Sequence, residues 1–264
     1  MTTKTETSLS IRGISQVFQS RGREPHTALD DVSLDFKDGE FVSVLGPSGC
    51  GKSTLLYIVG GFITPTSGAV FSNGKKVTGP GTDRGPVFQE FALFPWKTVV
   101  GNVEYGLLQQ KVGKAEARER ALQMIDMVHL SKFANFYPHE LSGGMRQRVA
   151  IARTLAYGPS TLLMDEPFGA LDAHTRHVLQ NELLSIWERD QKTVMFITHS
   201  VEEAIFLSDR VIVMSRSPGT VYRDQKIDLP RPRVHSELLV NKRYQELVLE
   251  IGGVMQELHG EAVE

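Results

Sequence analysis

Phe41-Val42-Ser43-Val44-Leu45-Gly46-Pro47-Ser48-Gly49-Cys50-Gly51-Lys52-Ser53 is the stretch that decides the fold. Its first five residues form an apolar run suited to a central strand buried on both faces. Gly46 to Ser53 then fits G-x-x-x-x-G-K-[ST], and Ser53 to Gly60 continues in a helical pattern. Strand, glycine-rich loop and helix are the context that this motif requires. The glycines allow backbone N–H groups to face phosphate oxygens, and the start of the helix adds partial positive charge. Lys52 is then expected to reach the β- and γ-phosphates and Ser53 to ligate Mg²⁺, with Thr54 following in the same turn. A glycine-rich turn that binds nothing is the bland alternative, and the correct flanks on both sides weigh against it.

Short β-branched runs alternate with helical patterns along the chain, which predicts a mainly parallel α/β sheet. Leu9 to Phe18 and Ala28 to Phe36 are expected as two early antiparallel strands. Thr161 to Met164, Thr193 to Ile197 and Arg210 to Met214 are further strand candidates, with helices near His174 to Arg189 and Val201 to Leu207. Between Gln89 and Tyr157 the character changes: Val99 to Leu107, Lys114 to Val128 and Gly144 to Tyr157 all carry helical patterning. That segment is predicted to be an all-helical insertion in the sheet domain. A small hairpin through Pro218-Gly219 and an exit at Pro230 and Pro232 follow. Val240, Tyr244, Leu247, Ile251, Met255 and Leu258 recur at steps of three and four, the pattern of an amphipathic helix.

Of 264 residues, 41% are apolar, ample for a packed core. Lys plus Arg is 29 against Asp plus Glu 31, a formal charge of -2, which offers no electrostatic footprint for nucleic acid. Cys50 is the only cysteine, so no internal disulfide forms and a reducing compartment is expected. Met1 to Ser10 is polar and carries no apolar signal core. The longest uncharged run, Thr54 to Gly74, is broken by Pro65 and by Gly, Thr and Ser residues, and is expected as a buried helix followed by a turn, not a bilayer span. The polypeptide is expected to be soluble by itself, with any membrane link supplied by a partner.

Further chemistry gathers at predicted strand ends. Leu162-Leu163-Met164-Asp165-Glu166 is an apolar strand closing on two carboxylates. Asp165 suits the hydration shell of a Mg²⁺ beside Ser53, and Glu166, re-aimed by Pro167, suits acceptance of a proton from an attacking water. His199 follows the run Thr193 to Ile197 and is placed to bond a γ-phosphate. Gln89 ends the short run Val87-Phe88, where a neutral amide touches Mg²⁺ or its water. Leu141-Ser142-Gly143-Gly144-Met145-Arg146-Gln147-Arg148 opens a helix with no strand before it and offers a second set of phosphate-facing N–H groups and a hydroxyl. One nucleotide rarely needs two separated anion cradles, which suggests that the second serves the nucleotide of another copy of the chain.

The Walker A loop Gly46 to Ser53, Gln89, Leu141 to Met145, Asp165-Glu166, Ala170-Leu171-Asp172 and His199 occur in the order found in ABC-transporter ATPase subunits, which the chain resembles over about residues 9–230. The resemblance implies an α/β P-loop NTPase (RecA-like) core with an N-terminal antiparallel β subdomain and an inserted all-helical subdomain. Residues 1–88 and 160–233 would form the core, 89–159 the helical subdomain and 234–264 a helical tail. It also implies two copies stacked head to tail, each ATP held between Gly46, Pro47, Ser48, Gly49, Cys50, Gly51, Lys52, Ser53 and Thr54 of one and Ser142, Gly143 and Gly144 of the other. Asp172 would lie at that seam. Phe18 occupies the place of an adenine-stacking aromatic, commonly Tyr; a core residue at a strand end is the other reading of it. Met145 stands where many relatives have Gln.

Gly79 to Gly85, Phe94-Pro95-Trp96, Met214 to Gly219 and Asp228 to Arg233 resemble the nitrate/sulfonate/taurine importer branch. That resemblance implies a bacterial-type importer subunit at the cytoplasmic face of the inner membrane. It would be bound peripherally through permease subunits and would serve a periplasmic or extracellular solute-binding protein indirectly. A subunit for another small organic solute, a soluble ABC ATPase without a permease and a non-catalytic scaffold are the alternatives. Intact Lys52, Asp165, Glu166 and His199 argue against the last. Phe91, Leu93, Phe94, Pro95 and Trp96 suit a groove for a short permease helix, or are the insertion's own core.

Overall fold

The computed structural model describes residues 7–19, 22 and 24–260. Residues 1–6 of the polar N-terminal stretch and 261–264 of the C-terminal segment lie outside the described residues. The first elements are β1 (Thr7–Phe18), β2 (His26–Lys37), β3 (Phe41–Leu45), α1 (Lys52–Gly60), β4 (Ser67–Ser72), β5 (Lys75–Lys76) and β6 (Arg84–Val87). Three helices follow, α2 (Val99–Gln109), α3 (Lys114–Met127) and α4 (Gly143–Ala156), then β7 (Thr161–Asp165) and α5 (Ala173–Asp190). The chain closes with β8 (Thr193–Ile197), α6 (Val201–Leu207), β9 (Arg210–Met214), β10 (Val221–Lys226), α7 (His235–Leu238) and α8 (Lys242–Gly260).

Residue contacts divide the chain into two compact units, Met1–Gly81 with Lys192–Glu264, and Thr82–Gln191. The first unit, over its described residues, holds an antiparallel sheet in the order β2-β1-β4-β5. It also holds β3 between β8 and β9, parallel to both, with β10 antiparallel on the outer edge of β9. Every residue of β3 and of β8 is buried, as a strand covered on both faces requires. Each large side chain so enclosed contributes about 1.5–3 kcal/mol over leaving it in water. The apolar stripe of α8 buries Tyr244, Leu247, Ile251, Met255 and Leu258, and the helix packs on α6. Val240 does not join that stripe: it lies ahead of the helix and is exposed.

Thr54 to Gly74 holds more than a helix and a turn, because β4 occupies its second half and pairs with β1 from Leu9↔Ser72 to Ser15↔Ser67. Ser67 and Gly68 carry no alternation, so the strand exists by virtue of the edge that β1 offers. The second unit holds the helices α2, α3 and α4 packed on one another and the parallel pair β6 and β7. β6 reads Arg-Gly-Pro-Val, and Pro86 is tolerated because a proline at a sheet edge forfeits only an outward N–H. A Cβ on Gly85 would come within 2.4 Å of Pro159 and 2.7 Å of Thr154, so only glycine lets the strand lie this close to α4 and the turn after it. Among the described residues no helix is long and apolar enough to cross a membrane.

Candidate functional site

In the first unit, β3 runs directly into Gly46 and the loop ends at α1, whose N-cap is Gly51. Gly51 adopts φ +96, and a Cβ there would fall 2.7 Å from the Ala28 carbonyl oxygen. The Lys52 side chain is buried and arches back over the loop, its Nζ donating to the Gly46 oxygen at 2.8 Å and the Pro47 oxygen at 2.9 Å. A lysine held in this way presents a pre-oriented cation to the space that the loop encloses. Ser48 and Gly49 are exposed at the rim. Cys50 is buried with Sγ 3.8 Å from Lys52 Nζ; burial pushes its thiol pKa up, and the lysine charge opposes that rise. Left-handed glycines, an inward ammonium and a helix start are the chemistry of a phosphate ligand.

His199 is placed by the neighbouring strand. β3 and β8 run in parallel register with Val44 opposite Ile197, and the Thr198 N–H donates to the Val44 oxygen at 3.3 Å. The C-terminal ends of the two strands therefore lie side by side, one leading into the phosphate loop and the other into exposed His199. Ligands of open parallel sheets gather at this edge. Phe18 ends β1 opposite His26 and is partly exposed, unlike the core aromatics Phe36 and Phe41. The core-residue reading of Phe18 therefore loses support.

The second unit repeats the arrangement with acceptors. β6 and β7 are parallel with Val87 opposite Met164, so Gln89, Asp165 and Glu166 emerge from neighbouring strand ends. Asp165 is buried and Gln89 exposed. Glu166 takes φ +45, a left-handed conformation uncommon for a residue with a side chain, at the turn where Gly169 N–H donates to its carbonyl at 3.1 Å. The amide oxygen of Gln89 and the carboxylate of Asp165 are hard oxygen donors of the kind that Mg²⁺ takes; in the first unit Ser53 separately offers a hydroxyl.

Ser142 N-caps α4 with its Oγ accepting from Met145 N–H at 3.3 Å, and it is exposed, with Gly143 and Gly144 half-buried behind it. A Cβ on Gly144 would lie 3.0 Å from Leu171 Cδ2, so the start of α4 abuts the loop that ends in Asp172. Asp172 in turn N-caps α5, accepting from Thr175 N–H at 2.9 Å, and this bond lowers its carboxyl pKa. Arg148, one turn into α4, is drawn electrostatically to Asp172 and donates to the Val128 oxygen at 2.9 Å. The nearness of the Ser-Gly-Gly segment to Asp172 within one unit is a tertiary contact that no sequence spacing announces.

Two residues outside the predicted set hold the stretch after Gln89. Asn102 is fully buried: its amide donates to the oxygens of Phe94, Lys97 and Thr98 at 3.2, 3.1 and 3.0 Å and accepts from Phe94 N–H at 2.8 Å. Arg153 donates to the Ala92 oxygen at 2.6 Å and lies over the Phe94 ring. A polar residue on the buried face of α2 was the available signal for Asn102. Phe94 packs on Tyr105 with centroids 4.6 Å apart, whereas Trp96 is 71% exposed. The apolar group is thus divided: Phe94 belongs to the unit's own packing, and Trp96 leans on the Phe94 ring, centroids 5.7 Å apart, with most of its surface left outside.

The profile of the ABC transporter family matches residues 29–169, just over half of the chain. The chain belongs to the ABC transporter family. It is 50% identical over 222 residues to the nitrate import ATP-binding protein NrtD of Synechocystis sp., covering 84% of this chain and 83% of that one. It is 47% identical over 240 residues to the taurine import ATP-binding protein TauB of Roseobacter denitrificans, covering 91% and 90%. The dimeric structure of a post-hydrolysis state of an ATP-binding cassette bound to ADP and Pi superimposes with a TM-score of 0.77 at 38% identity, covering 84% of this chain and all of that one. The P-loop cassette fold and the ABC ATPase activity, both expected from the motif order, are those of this family.

Proposed function

We propose that this ABC ATPase powers a bacterial-type importer for a small solute of the nitrate, sulfonate or taurine kind or a related organic anion, working as a head-to-tail homodimer beneath permease subunits. The observation that carries the reading is the complete set of Lys52 at the start of α1 and Asp165, Glu166 and His199 at strand ends, in a chain about as similar to nitrate as to taurine import subunits. The dimeric relative with ADP and Pi supports the two-copy arrangement. The protein then sits at the cytoplasmic face of the inner membrane, held by the permease, with a solute-binding protein on the other side. Residues 1–88 and 160–233 act as the nucleotide core, 89–159 as the helical arm and 234–264 as the tail.

In this reading Phe18 stacks on adenine, and the loop Gly46 to Thr54 holds the phosphates of ATP from one copy. Ser142, Gly143 and Gly144 of the second copy close the same site, with Asp172 at the seam. Mg²⁺, held by Ser53, Asp165 and Gln89, would neutralise charge on the β- and γ-phosphate oxygens. Glu166 takes a proton from the water whose oxygen attacks the γ-phosphorus. The bond to the β–γ bridging oxygen breaks, and ADP and phosphate leave. His199 holds the γ-phosphate in line. ATP closes the dimer and hydrolysis reopens it, and this rigid-body movement passes through the helical arm to the permease.

Exposed Trp96, beside the rigid Asn102 clamp, suits a short permease helix. Trp96→Ala is expected to abolish or strongly lower solute uptake by the reconstituted transporter while ATP affinity of the isolated subunit stays unchanged. Normal uptake by that variant would contradict the permease contact. Co-purification of the chain with membrane subunits from detergent extracts separates the importer from a permease-free ATPase.

A further inference from the structure

The segment Asp228 to Arg233, after the last strand, does more than carry the chain toward α8. Arg233 is buried, and its Nη1 donates to the backbone oxygens of Ile205, Phe206 and Ser208 at 2.8, 3.0 and 2.7 Å. Arg231 donates through Nη2 to the Leu207 oxygen at 2.7 Å and to Asp209 Oδ1 at 2.9 Å. A helix leaves its last four carbonyls without intrahelical partners. In the seven-residue helix α6, three of those four, at Ile205, Phe206 and Leu207, accept from these two guanidinium groups. Positive charge at this end also suits the helix dipole.

The other end of α6 is tied to His199. Glu203 of α6 accepts a hydrogen bond from the Thr198 hydroxyl at its carboxylate, and its N–H donates to Ser200 Oγ at 3.2 Å. The Ser200 N–H donates to Thr198 Oγ1 at 3.1 Å. Both neighbours of His199 are therefore bonded to a residue one turn into the helix that Arg233 grips. A helix this short moves as one body, so a shift at its C-terminal end is carried to the histidine.

We propose that Arg233 is a positioning residue for ATP hydrolysis, fixing α6 and through it the loop that aims His199. The proposal rests on the reading that His199 acts on the γ-phosphate. It requires that Arg233 change turnover and not nucleotide affinity, and that it do so only through His199. Misplacement of a reacting group by about 1 Å costs on the order of 10²-fold in rate.

The test is a double-mutant cycle on steady-state ATP hydrolysis by the full chain. His199→Ala comes first: wild-type turnover by that variant would sink the reading of His199, whatever Arg233 does. With that reading standing, Arg233→Met is expected to lower kcat roughly 10- to 100-fold with KM for ATP unchanged. Arg233→Lys, which keeps the charge and three donors, is expected to recover most of the rate. In the His199→Ala background, Arg233→Met should cause no further loss. Should Arg233→Met not fold, Arg233→Gln, which keeps a two-proton donor, takes its place in the same cycle. An unchanged kcat, a raised KM, or an equal loss in both backgrounds would overturn the positioning role and leave Arg233 as a structural cap.

Discussion

Glu166→Gln is expected to bind ATP as the wild type does and to hydrolyse it 10²- to 10⁴-fold more slowly, the range that a general base contributes. The substitution keeps the side-chain shape and removes only the ability to take a proton. Glu166 sits at a turn in the left-handed region, one residue beyond the buried end of β7, so the direction in which its side chain leaves the backbone is set by that turn. In the proposed reading binding relies on Lys52 and its loop, whose residues the change leaves as they are. With the proton acceptor gone and ATP still held, the closed dimer should accumulate, visible as a nucleotide-dependent doubling of mass in size-exclusion chromatography with light scattering. Wild-type turnover by Glu166→Gln would contradict the base assignment; loss of ATP binding would contradict the separation of binding from chemistry.

Lys52→Ala is expected to fail one step earlier. The ammonium is buried and already held by the Gly46 and Pro47 oxygens, so little ordering cost is incurred when phosphates arrive. Two of its three N–H donors are on those oxygens and the third is left for the phosphates; a hydrogen bond to a charged group contributes about 1.5–3 kcal/mol, so its loss makes ATP binding about 10- to 10²-fold weaker. ADP, which has no γ-phosphate, should be affected less. Titration with a fluorescent ATP analogue and with its ADP counterpart reads both. Equal affinity of variant and wild type for ATP would remove Lys52 from the phosphate site.

The parts legible in the sequence were those where a local pattern and a tertiary role coincide. β3, β8 and the α1 start follow from an apolar run, a glycine-rich loop and a lysine at fixed offsets, and β7 follows from an apolar run ending in Asp165-Glu166. The segments that escaped are those whose structure is lent by a neighbour. β4 begins with Ser67-Gly68 and β6 reads Arg-Gly-Pro-Val; neither alternates, and each is a strand because β1 or β7 presents an edge to it. Val240 matched the periodicity of α8 but precedes the Asn241 side chain that accepts from Tyr244 N–H at 3.0 Å, so the helix begins after it. Arg231 and Arg233 looked like part of a subfamily signature, and their grip on α6 spans more than twenty residues of chain. Hydrogen bonds between distant backbone carbonyls and a buried guanidinium leave no periodic trace.

The claim on which everything else depends is that each ATP is held between the Gly46 to Ser53 loop of one copy and the Ser142 segment of the other. Mixed dimers carrying Lys52→Ala and Ser142→Ala test it, with the two changes placed either in the same subunit or in opposite subunits. A composite site predicts that opposite placement leaves one site with both wild-type halves and retains hydrolysis, while placing both changes in one subunit damages both sites and removes it. The reverse pattern, hydrolysis retained only when both changes share a subunit, would mean that each chain completes its own site and would contradict the account.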